Sequence, residues 1–255
     1  MKVVVLGSDL RMQTLYHEFR QFVDTVLLDA SSDLEEVGDF DVLVLPIRAV
    51  DELGNLKCGN QLLSCVDSFW EKASNAMIFA GSKDVFLSRF HHVIYYMEAN
   101  EIKQRNAYLT AEGILYYMID HTNRSIFQLQ VDIIGKGLCG GAFGWLLERL
   151  GIAVRYVRRE VQGEHEIGIA DWKRKKAGDV VVVTAPVSII DEEWMMKQTH
   201  HPLVIDIVST AILNESYIRQ LGFPYVKALG IPAVFAYESA GKILFEWIWG
   251  KIHEK

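Results

Sequence analysis

The feature that most constrains the fold is a glycine-spaced segment, Gly135-Lys136-Gly137-Leu138-Cys139-Gly140, placed between two apolar stretches. The run at 131–134 before it predicts a buried strand, and residues 142–150 after it predict a helix closed by Gly151. The spacing alone is a weak signal. A strand, a G-x-G-x-x-G turn and a helix in that order are typical of a Rossmann dinucleotide-binding domain.

Each glycine has its own physical role in such a turn. Gly135 allows a tight turn off the strand, and Gly137 lets the backbone approach a pyrophosphate. Gly140 allows close packing of helix on sheet, and we expect Gly141 and Gly144 to help. The pyrophosphate would be held by free N–H groups and the positive end of the helix dipole. The alternative is a glycine-rich turn that binds nothing. The predicted cofactor-binding residues are Gly135, Lys136, Gly137, Leu138, Cys139, Gly140, Arg158, Arg159, Thr184, Pro186 and Ser209.

The end of the next predicted strand, Val157-Arg158-Arg159-Glu160, bears on the choice of cofactor. An acidic residue there binds the ribose of NAD, whereas arginine accommodates the 2′-phosphate of NADP. Two guanidinium groups suit a phosphate, so the sequence favours NADP; Glu160 leaves NAD open. Cys139 would lie at a helix N-terminus, where the dipole can lower a thiol pKa, but we favour its alternative role as a small apolar filler.

The first half of the chain alternates apolar runs with helical patterns. Helices are predicted from Asp9 as N-cap and over residues 62–70. This alternation implies right-handed crossovers and a parallel sheet. The half has no glycine-rich phosphate loop and is predicted to be flavodoxin-like or Rossmann-like. Its predicted strands lie at 3–6, 25–28, 41–45, 77–80 and 93–96.

The predicted fold class is therefore α/β, with two Rossmann-like or flavodoxin-like parallel-sheet domains joined by a bridging helix. We expect an N-terminal substrate domain over 1–107 and a Rossmann NADP-binding domain over 108–255. Polar residues at 98–106 interrupt the pattern, and Thr110 then serves as the N-cap of the bridging helix, 108–122. An apolar helix over 234–252 is expected to return toward the N-terminal domain.

Composition argues against several classes of protein. The net charge is −7, and the one basic run, 173–176, is typical of a solvated turn, so a nucleic-acid partner is not expected. No apolar run approaches the roughly 18 residues that a membrane span needs. The three cysteines form neither a disulfide framework nor a CxxC pair, and adjacent histidines rarely share one metal. We expect a cytoplasmic protein without a metal site.

Five stretches carry a family resemblance: residues 5–11, 110–113, 120–122, the glycine segment, and the tail from 229 to 241. Together, and in order over nearly the whole chain, they resemble the A subunit of dipicolinate synthase. The resemblance implies a two-domain relative of the D-2-hydroxyacid dehydrogenases that binds NADP. It also implies a partner, the flavoprotein-like B subunit, and formation of dipicolinate from a dihydrodipicolinate-type precursor in sporulating bacteria.

Two departures from the family pattern matter. The region between Glu160 and Asp179 is shorter, so the second crossover helix is expected to be missing or rudimentary. After the predicted strand at 203–208, this chain has Ser209-Thr210-Ala211 where the family tends to have Ser-Arg-Pro. The lost arginine could have oriented a substrate carboxylate. The implied fold survives both departures, and the implied activity weakens.

The substrate of such a relative would lie between its domains, opposite the nicotinamide. Arg11 follows the first strand and is the candidate for a carboxylate of a dicarboxylate substrate, with Asp9 and Thr110 as further contacts. The alternative is a surface charge beside a capping Asp9. Glu112 and His121 are the catalytic candidates. They stand nine residues apart, half a turn out of phase on a helix, so dipole and helix-end roles stay open.

Three functions remain open at this point. The first is an NAD(P)-dependent oxidoreductase that resembles the A subunit of dipicolinate synthase. The second is a nucleotide-binding but catalytically reduced protein that serves as a partner or regulator. The third is a D-2-hydroxyacid-type dehydrogenase, which lacks support because no Arg-Glu-His set is evident. A homo- or hetero-oligomer is expected.

Overall fold

The computed structural model describes residues 1–254 and divides the chain into two compact units. Unit 1 comprises Met1–Asn106 together with the chain from Pro232 onward, and unit 2 comprises Ala107–Ile231. Each unit is built on a parallel sheet with helical crossovers, which confirms the predicted fold class. The predicted second domain, 108–255, included the final helix, which the structure groups with unit 1.

The sheet of unit 1 follows the apolar runs of the first half of the chain. Its central strands are buried on both faces, as parallel strands covered by helices must be. The order β2-β1-β3-β6-β7 is that of a flavodoxin-like sheet, with every neighbouring pair parallel. The strands and first helices of the unit are β1 (Lys2–Leu6), α1 (Leu10–Arg20), β2 (Asp24–Leu28), β3 (Val42–Val44), β4 (Leu56–Cys58), β5 (Gln61–Leu63), α2 (Asp67–Ser74), β6 (Met77–Ala80) and β7 (Val93–Tyr95).

The predicted helix over 62–70 was wrong in its first part. Leu63 lies in β5, which pairs antiparallel with β4, and α2 begins only at Asp67. The two strands are joined through Gly59, which has φ +60. A glycine with positive φ is what a two-residue hairpin turn requires, and the apolar spacing after it imitated a helix.

The helix predicted over 108–122 begins earlier. Helix α3 spans Asn100–Asp120, and Thr110 is a buried residue within it, not its N-cap. The polar segment at 98–106 therefore does not break the pattern. It contains no glycine or proline, and Ile102 is buried while the charged neighbours stay in contact with water.

Unit 2 contains the predicted strand, glycine turn and helix. Its sheet order, β10-β9-β8-β11-β12-β13, is the doubly wound order of a dinucleotide-binding fold, with all pairs parallel. The strand β10 was not predicted, and the crossover after it holds a helix of six residues, the rudimentary helix expected there. The elements are β8 (Gln130–Ile134), α4 (Leu138–Arg149), β9 (Ala153–Arg158), β10 (Glu166–Gly168), α5 (Ile169–Arg174), β11 (Val180–Val183), α6 (Glu192–Lys197), β12 (Leu203–Asp206), α7 (Glu215–Gln220) and β13 (Tyr225–Lys227).

A buried carboxylate fixes the short crossover to the sheet. Asp132 of β8 is fully buried and accepts two hydrogen bonds from Arg155 of β9, at 2.8 and 2.7 Å. It also accepts from Trp172 Nε1 of α5 at 2.7 Å and from the Gly178 N–H at 2.8 Å. A buried charge is costly unless it is paired and hydrogen-bonded in this way. The network holds β9 and α5 against β8.

The chain ends in two helices, α8 (Ile231–Val234) and α9 (Tyr237–His253). Helix α9 packs on α1, and the approach is close, since a Cβ at Gly241 would lie 2.8 Å from the Arg11 carbonyl oxygen. Phe19 and Phe245 meet edge to face at 5.0 Å between ring centroids. Trp247 and Trp249, large apolar groups of this helix, are half-buried.

None of the described helices combines the length and the apolar character needed to cross a membrane.

Candidate nucleotide-binding site

The glycine turn between β8 and α4 has the geometry that a phosphate loop requires. Gly135 has φ +98, a backbone conformation that other residues rarely adopt. A Cβ at Gly140 would lie 2.4 Å from the Gly135 carbonyl oxygen, so only glycine fits. A Cβ at Gly137, in contrast, would meet nothing within 4 Å. The turn is tight at its ends and open at its middle glycine.

The N-terminus of α4 has no side-chain cap. Gly137 is the N-cap residue and has no side chain to accept a hydrogen bond from the first turn. The first N–H groups of a helix have no partners within the helix, and they lie at the positive end of its dipole. The open space at Gly137 therefore adjoins free backbone donors that suit an anion.

A cavity of about 300 Å³ lies beside this turn. Predicted and unpredicted residues line it together. Thr184, which follows β11, stabilises the start of the turn, because its hydroxyl donates to the Ile134 carbonyl at 2.9 Å. The cavity is lined by Ile134, Gly135, Lys136, Val157, Arg158, Arg159, Ile169, Ala185, Pro186 and Val187.

Glu166, which the sequence did not single out, binds two of the cations that line the cavity, Lys136 and Arg158. Its carboxylate accepts from Lys136 Nζ at 2.9 Å and from Arg158 Nη1 at 3.0 Å. The Gln162 N–H donates to it at 2.7 Å. The hydrogen bond from Lys136 is the largest cause that lowers the pKa of Glu166 to about 2, followed by the one from Gln162. The carboxylate is therefore ionised at any neutral pH.

Arg159 and Glu160 differ from Arg158 in having no such partner. Both are exposed, and neither makes a hydrogen bond or ion pair with another described residue. Of the two predicted arginines, Arg158 is held by a carboxylate and Arg159 is free.

Leu138, Cys139 and Ser209, which the sequence predicted as cofactor contacts, are not among the residues that line the cavity. Leu138 is exposed at the start of α4, and Ser209 is exposed in the bend after β12. Cys139 is half-buried; burial raises the pKa of its thiol, and a hydrogen bond with Thr110 offsets part of this rise. The raised pKa agrees with the interpretation of Cys139 as an apolar filler.

Of the two further glycines of α4 that the sequence assigned to close packing, only one has that role. A Cβ at Gly144 would lie 1.8 Å from the Tyr156 hydroxyl, so Gly144 permits close packing on β9. A Cβ at Gly141 would meet nothing within 4 Å. The expectation that Gly141 also serves close packing was wrong, because successive helical residues face different directions and Gly141 points away from the sheet.

The predicted substrate contacts of unit 1 lie where β1 meets α1. Asp9 caps the helix by accepting from the Met12 N–H at 3.0 Å, and it also accepts from Arg11 Nη2 at 2.9 Å. The Arg11 side chain is only 8% exposed, so it is not a solvated surface charge. Its Nε has no hydrogen-bond partner among the described residues.

The two catalytic candidates are not brought together. Glu112 is exposed near the middle of α3, and His121 is exposed directly after the helix ends. The Nδ1 atom of His121 lies 3.1 Å from the Tyr117 carbonyl oxygen. The His121 N–H still bonds to the Tyr117 carbonyl, so the helical geometry reaches it. Nine residues of helix separate the two by about 13.5 Å along the axis. They cannot act as a pair on one substrate atom.

Three of the cavity-lining residues that the sequence missed share one positional signal. Ala185 and Val187 follow β11, and Ile169 follows β10, all at the carboxyl edge of the sheet. Ligands of open α/β sheets bind at this edge. Glu166 carries no such signal, since its contacts depend on how β10 pairs with β9.

The comparisons with known proteins agree with this architecture. No family model matches the sequence. The A subunit of dipicolinate synthase from Bacillus subtilis (strain 168) is 21% identical over 276 residues, which cover 96% of this chain and 93% of that protein. The crystal structure of the A subunit of dipicolinate synthase from Bacillus halodurans matches with a TM-score of 0.82 and 21% identity, covering 100% of this chain and 98% of that one. The chain is similar to the A subunit of dipicolinate synthase. This confirms the resemblance that its motifs indicated.

A wider similarity concerns the fold alone. An NAD-dependent formate dehydrogenase from Staphylococcus aureus, solved in complex with NAD, matches with a TM-score of 0.58 at 11% identity. The match covers 99% of this chain and 95% of that one. Two successive parallel-sheet units are thus an arrangement that dehydrogenases of this fold also use.

Proposed function

We propose that this chain is an NADP-dependent oxidoreductase that corresponds to the A subunit of dipicolinate synthase and acts on a dihydrodipicolinate-type cyclic dicarboxylate. The observation that carries the proposal is the uncapped start of α4 at Gly137, in a chain that is similar to that protein over 96% of its length. Free helix N–H groups beside an open glycine suit a dinucleotide pyrophosphate.

The residues of unit 2 fit the other parts of a dinucleotide as well. The apolar lining from Val157, Ile169 and Val187 suits an adenine ring. Arg159, exposed and free, suits the 2′-phosphate of NADP; NAD remains the alternative through Glu160. The dinucleotide, when bound, supplies the acceptor or donor of a hydride.

The substrate chemistry requires cations and one proton acceptor. Oxidation of a dihydrodipicolinate to the aromatic dipicolinate removes a hydride and a proton. Arg11 is our candidate for one substrate carboxylate, because its buried guanidinium keeps a free Nε beside the carboxyl end of β1. Glu112 and His121 remain separate candidates for accepting the proton, and Asp9 and Thr110 remain candidate substrate contacts.

A second candidate function rests on the segment after β12. Thr210 and Ala211 are exposed where the resemblance leads us to expect an arginine. A dicarboxylate held by Arg11 alone would be poorly fixed, and a misplacement of about 1 Å can cost roughly 100-fold in rate. We therefore propose that activity needs a partner, such as a flavoprotein-like B subunit, in a cytoplasmic complex. A catalytically reduced, nucleotide-binding protein is the alternative.

The test follows NADP reduction with dihydrodipicolinate, first with the chain alone and then with a B-type subunit. We expect weak or no turnover alone and clear turnover with the partner, lost in Arg11→Gln. Full turnover by the chain alone would refute the need for a partner. No turnover in either case, with NADPH binding intact, would favour the catalytically reduced protein.

A further inference from the structure

The geometry points to Glu166 as a positioning residue that sets how strongly the chain prefers NADP over NAD. This inference rests on the proposed function. Glu166 holds Arg158, so that Arg159 is the ligand of the 2′-phosphate. Glu166 would act through the two cations that it binds and not by touching the cofactor.

The contacts of Glu166 show why it cannot reach a cofactor itself. Its side chain is 3% exposed, and each carboxylate oxygen already accepts two hydrogen bonds. Glu166 is the register partner of Tyr156 of β9, and its carboxylate binds Lys136 and Arg158, which line the cavity. A buried and saturated carboxylate has no lone pair left for a ribose hydroxyl.

The same contacts limit what Arg158 can do. Its Nη1 donates to both Glu166 oxygens at 3.0 Å and lies 3.2 Å from Gln162 Oε1. A phosphate that recruited Arg158 would have to compete with a carboxylate that is already in place. Lys136, on the glycine turn, is drawn to the same carboxylate. The carboxylate of Glu166 thus offsets part of the positive charge of two of the three cations that line the cavity.

Arg159 is the cation left over. It lines the same cavity, follows β9 directly and has no partner among the described residues. Glu166 therefore keeps the positive charge along the cavity lining moderate, and Arg159 is left to make one contact with the phosphate. Without the carboxylate, Arg158 would become a second phosphate ligand, and the preference for NADP would increase.

The experiment measures the ratio of NADH to NADPH dissociation constants by calorimetry on the full chain. We expect Arg159→Gln to lower the ratio about tenfold, and Arg158→Gln to lower it far less, since Arg158 is already held. Glu166→Gln should raise the ratio about tenfold by releasing Arg158. Glu166→Asp, which keeps the charge, should return the ratio toward that of the parent.

A matched pair of double variants separates the release of Arg158 from a general change of charge. Glu166→Gln/Arg158→Gln and Glu166→Gln/Lys136→Gln have the same net charge. The ratio should stay raised only in the second, which keeps Arg158. Equal ratios in the two would overturn the inference, as would a Glu166→Gln ratio that is unchanged or lower.

Two further outcomes are decisive. If Glu166→Gln does not fold, the single variants of Arg158 and Arg159 still decide, because a larger loss with Arg158→Gln contradicts the inference. A parent chain that binds neither dinucleotide would refute the proposed function itself. Binding of both with a ratio insensitive to Glu166 would refute only the role of Glu166.

Discussion

Units 1 and 2 each join a central parallel strand to a helix at the carboxyl edge of the sheet, yet the two helix starts differ. In unit 1, Asp9 caps α1 with its own carboxylate and also binds Arg11. In unit 2, Gly137 begins α4 with no side-chain cap. One architecture thus occurs with an occupied helix N-terminus and with an open one.

An anionic cofactor is therefore expected where a helix start lacks a side-chain cap, and the fold alone does not decide this. The first N–H groups of a helix need an acceptor, and the helix dipole favours a negative one. Asp9 supplies that acceptor from within the chain. The start of α4 has no such internal acceptor, so a bound ligand would have to supply one. For this reason we propose unit 2 as the nucleotide-binding unit.

The largest expected effect follows from closing the open helix start. Gly137→Val should lower NADPH affinity by about 100-fold or more, since a branched side chain would occupy the space of the pyrophosphate. The variant should fold, because a Cβ there meets nothing within 4 Å. Affinity is measured by calorimetry and folding by thermal unfolding.

The matched control for this variant is Gly141→Val, one turn further into α4. Its Cβ would also meet nothing within 4 Å outside the helix backbone, so neither substitution creates a clash with a neighbouring element. NADPH affinity should stay within about threefold of the parent, since the pyrophosphate contacts are confined to the first turn. Equal losses in both variants, or none in Gly137→Val, would break the comparison between the two helix starts.

Removing the internal cap of unit 1 should lower the stability of the fold and leave NADPH affinity unchanged. Asp9→Ala leaves the buried Arg11 without its carboxylate and α1 without its cap, so we expect a loss of about 3 kcal/mol in the free energy of unfolding. Asn214→Ala removes the cap of α7, whose Asn214 accepts from the Tyr217 N–H at 3.1 Å, without exposing a buried charge. It should cost about 1 kcal/mol. Urea unfolding compares the two, and equal costs would argue against a structural role for the Asp9–Arg11 pair.

The packing of α9 on α1 offers a smaller test within unit 1. Gly241→Ala would place a Cβ 2.6 Å from Thr14 Cβ and 2.8 Å from the Arg11 carbonyl oxygen. Overpacking should cost about 1–2 kcal/mol of stability. Gly250→Ala, on the same helix, meets nothing within 4 Å and should be neutral or stabilising by up to about 1 kcal/mol. Urea unfolding that ranks the two variants the other way would contradict the close approach.

The smallest effect concerns the pH dependence that Glu166 gives to unit 2. Its pKa falls from an ordinary 4.5 to about 2, chiefly through the hydrogen bond from Lys136. A lowered carboxyl pKa stabilises the fold above the unfolded value, and this stabilisation is lost as pH falls toward the folded value. The stability difference between the parent and Glu166→Gln should therefore shrink between pH 4.5 and about 2. A difference that stays constant across this window, measured by urea unfolding, would contradict the proposed ion pairs.

Much of the fold could be predicted because apolar runs and glycines are local signals. The strands of the two sheets, the glycine turn and the cap at Asp9 all follow from a few adjacent residues. The hairpin before α2 and the early start of α3 were missed because short apolar spacings and polar helix formers fit more than one structure. The strand β10 has three residues and is defined by its pairing with β9.

The candidate site was harder to predict because its decisive contacts join distant residues. Arg158 at the end of β9 fits the expected phosphate ligand by position, but Glu166, eight residues later, holds it. Lys136 meets the same carboxylate from 30 residues away. Gly241 of α9, near the other end of the chain, packs beside the Arg11 carbonyl oxygen. Such contacts depend on sheet order and helix packing, which no local pattern encodes.

We propose above all that the open start of α4 binds a nicotinamide dinucleotide. It is tested most directly by calorimetric titration of the unaltered chain with NADPH and, separately, with NADH. We expect one site per chain and tighter binding of NADPH. Absence of binding for both dinucleotides by a folded chain would contradict a nucleotide site at the start of α4.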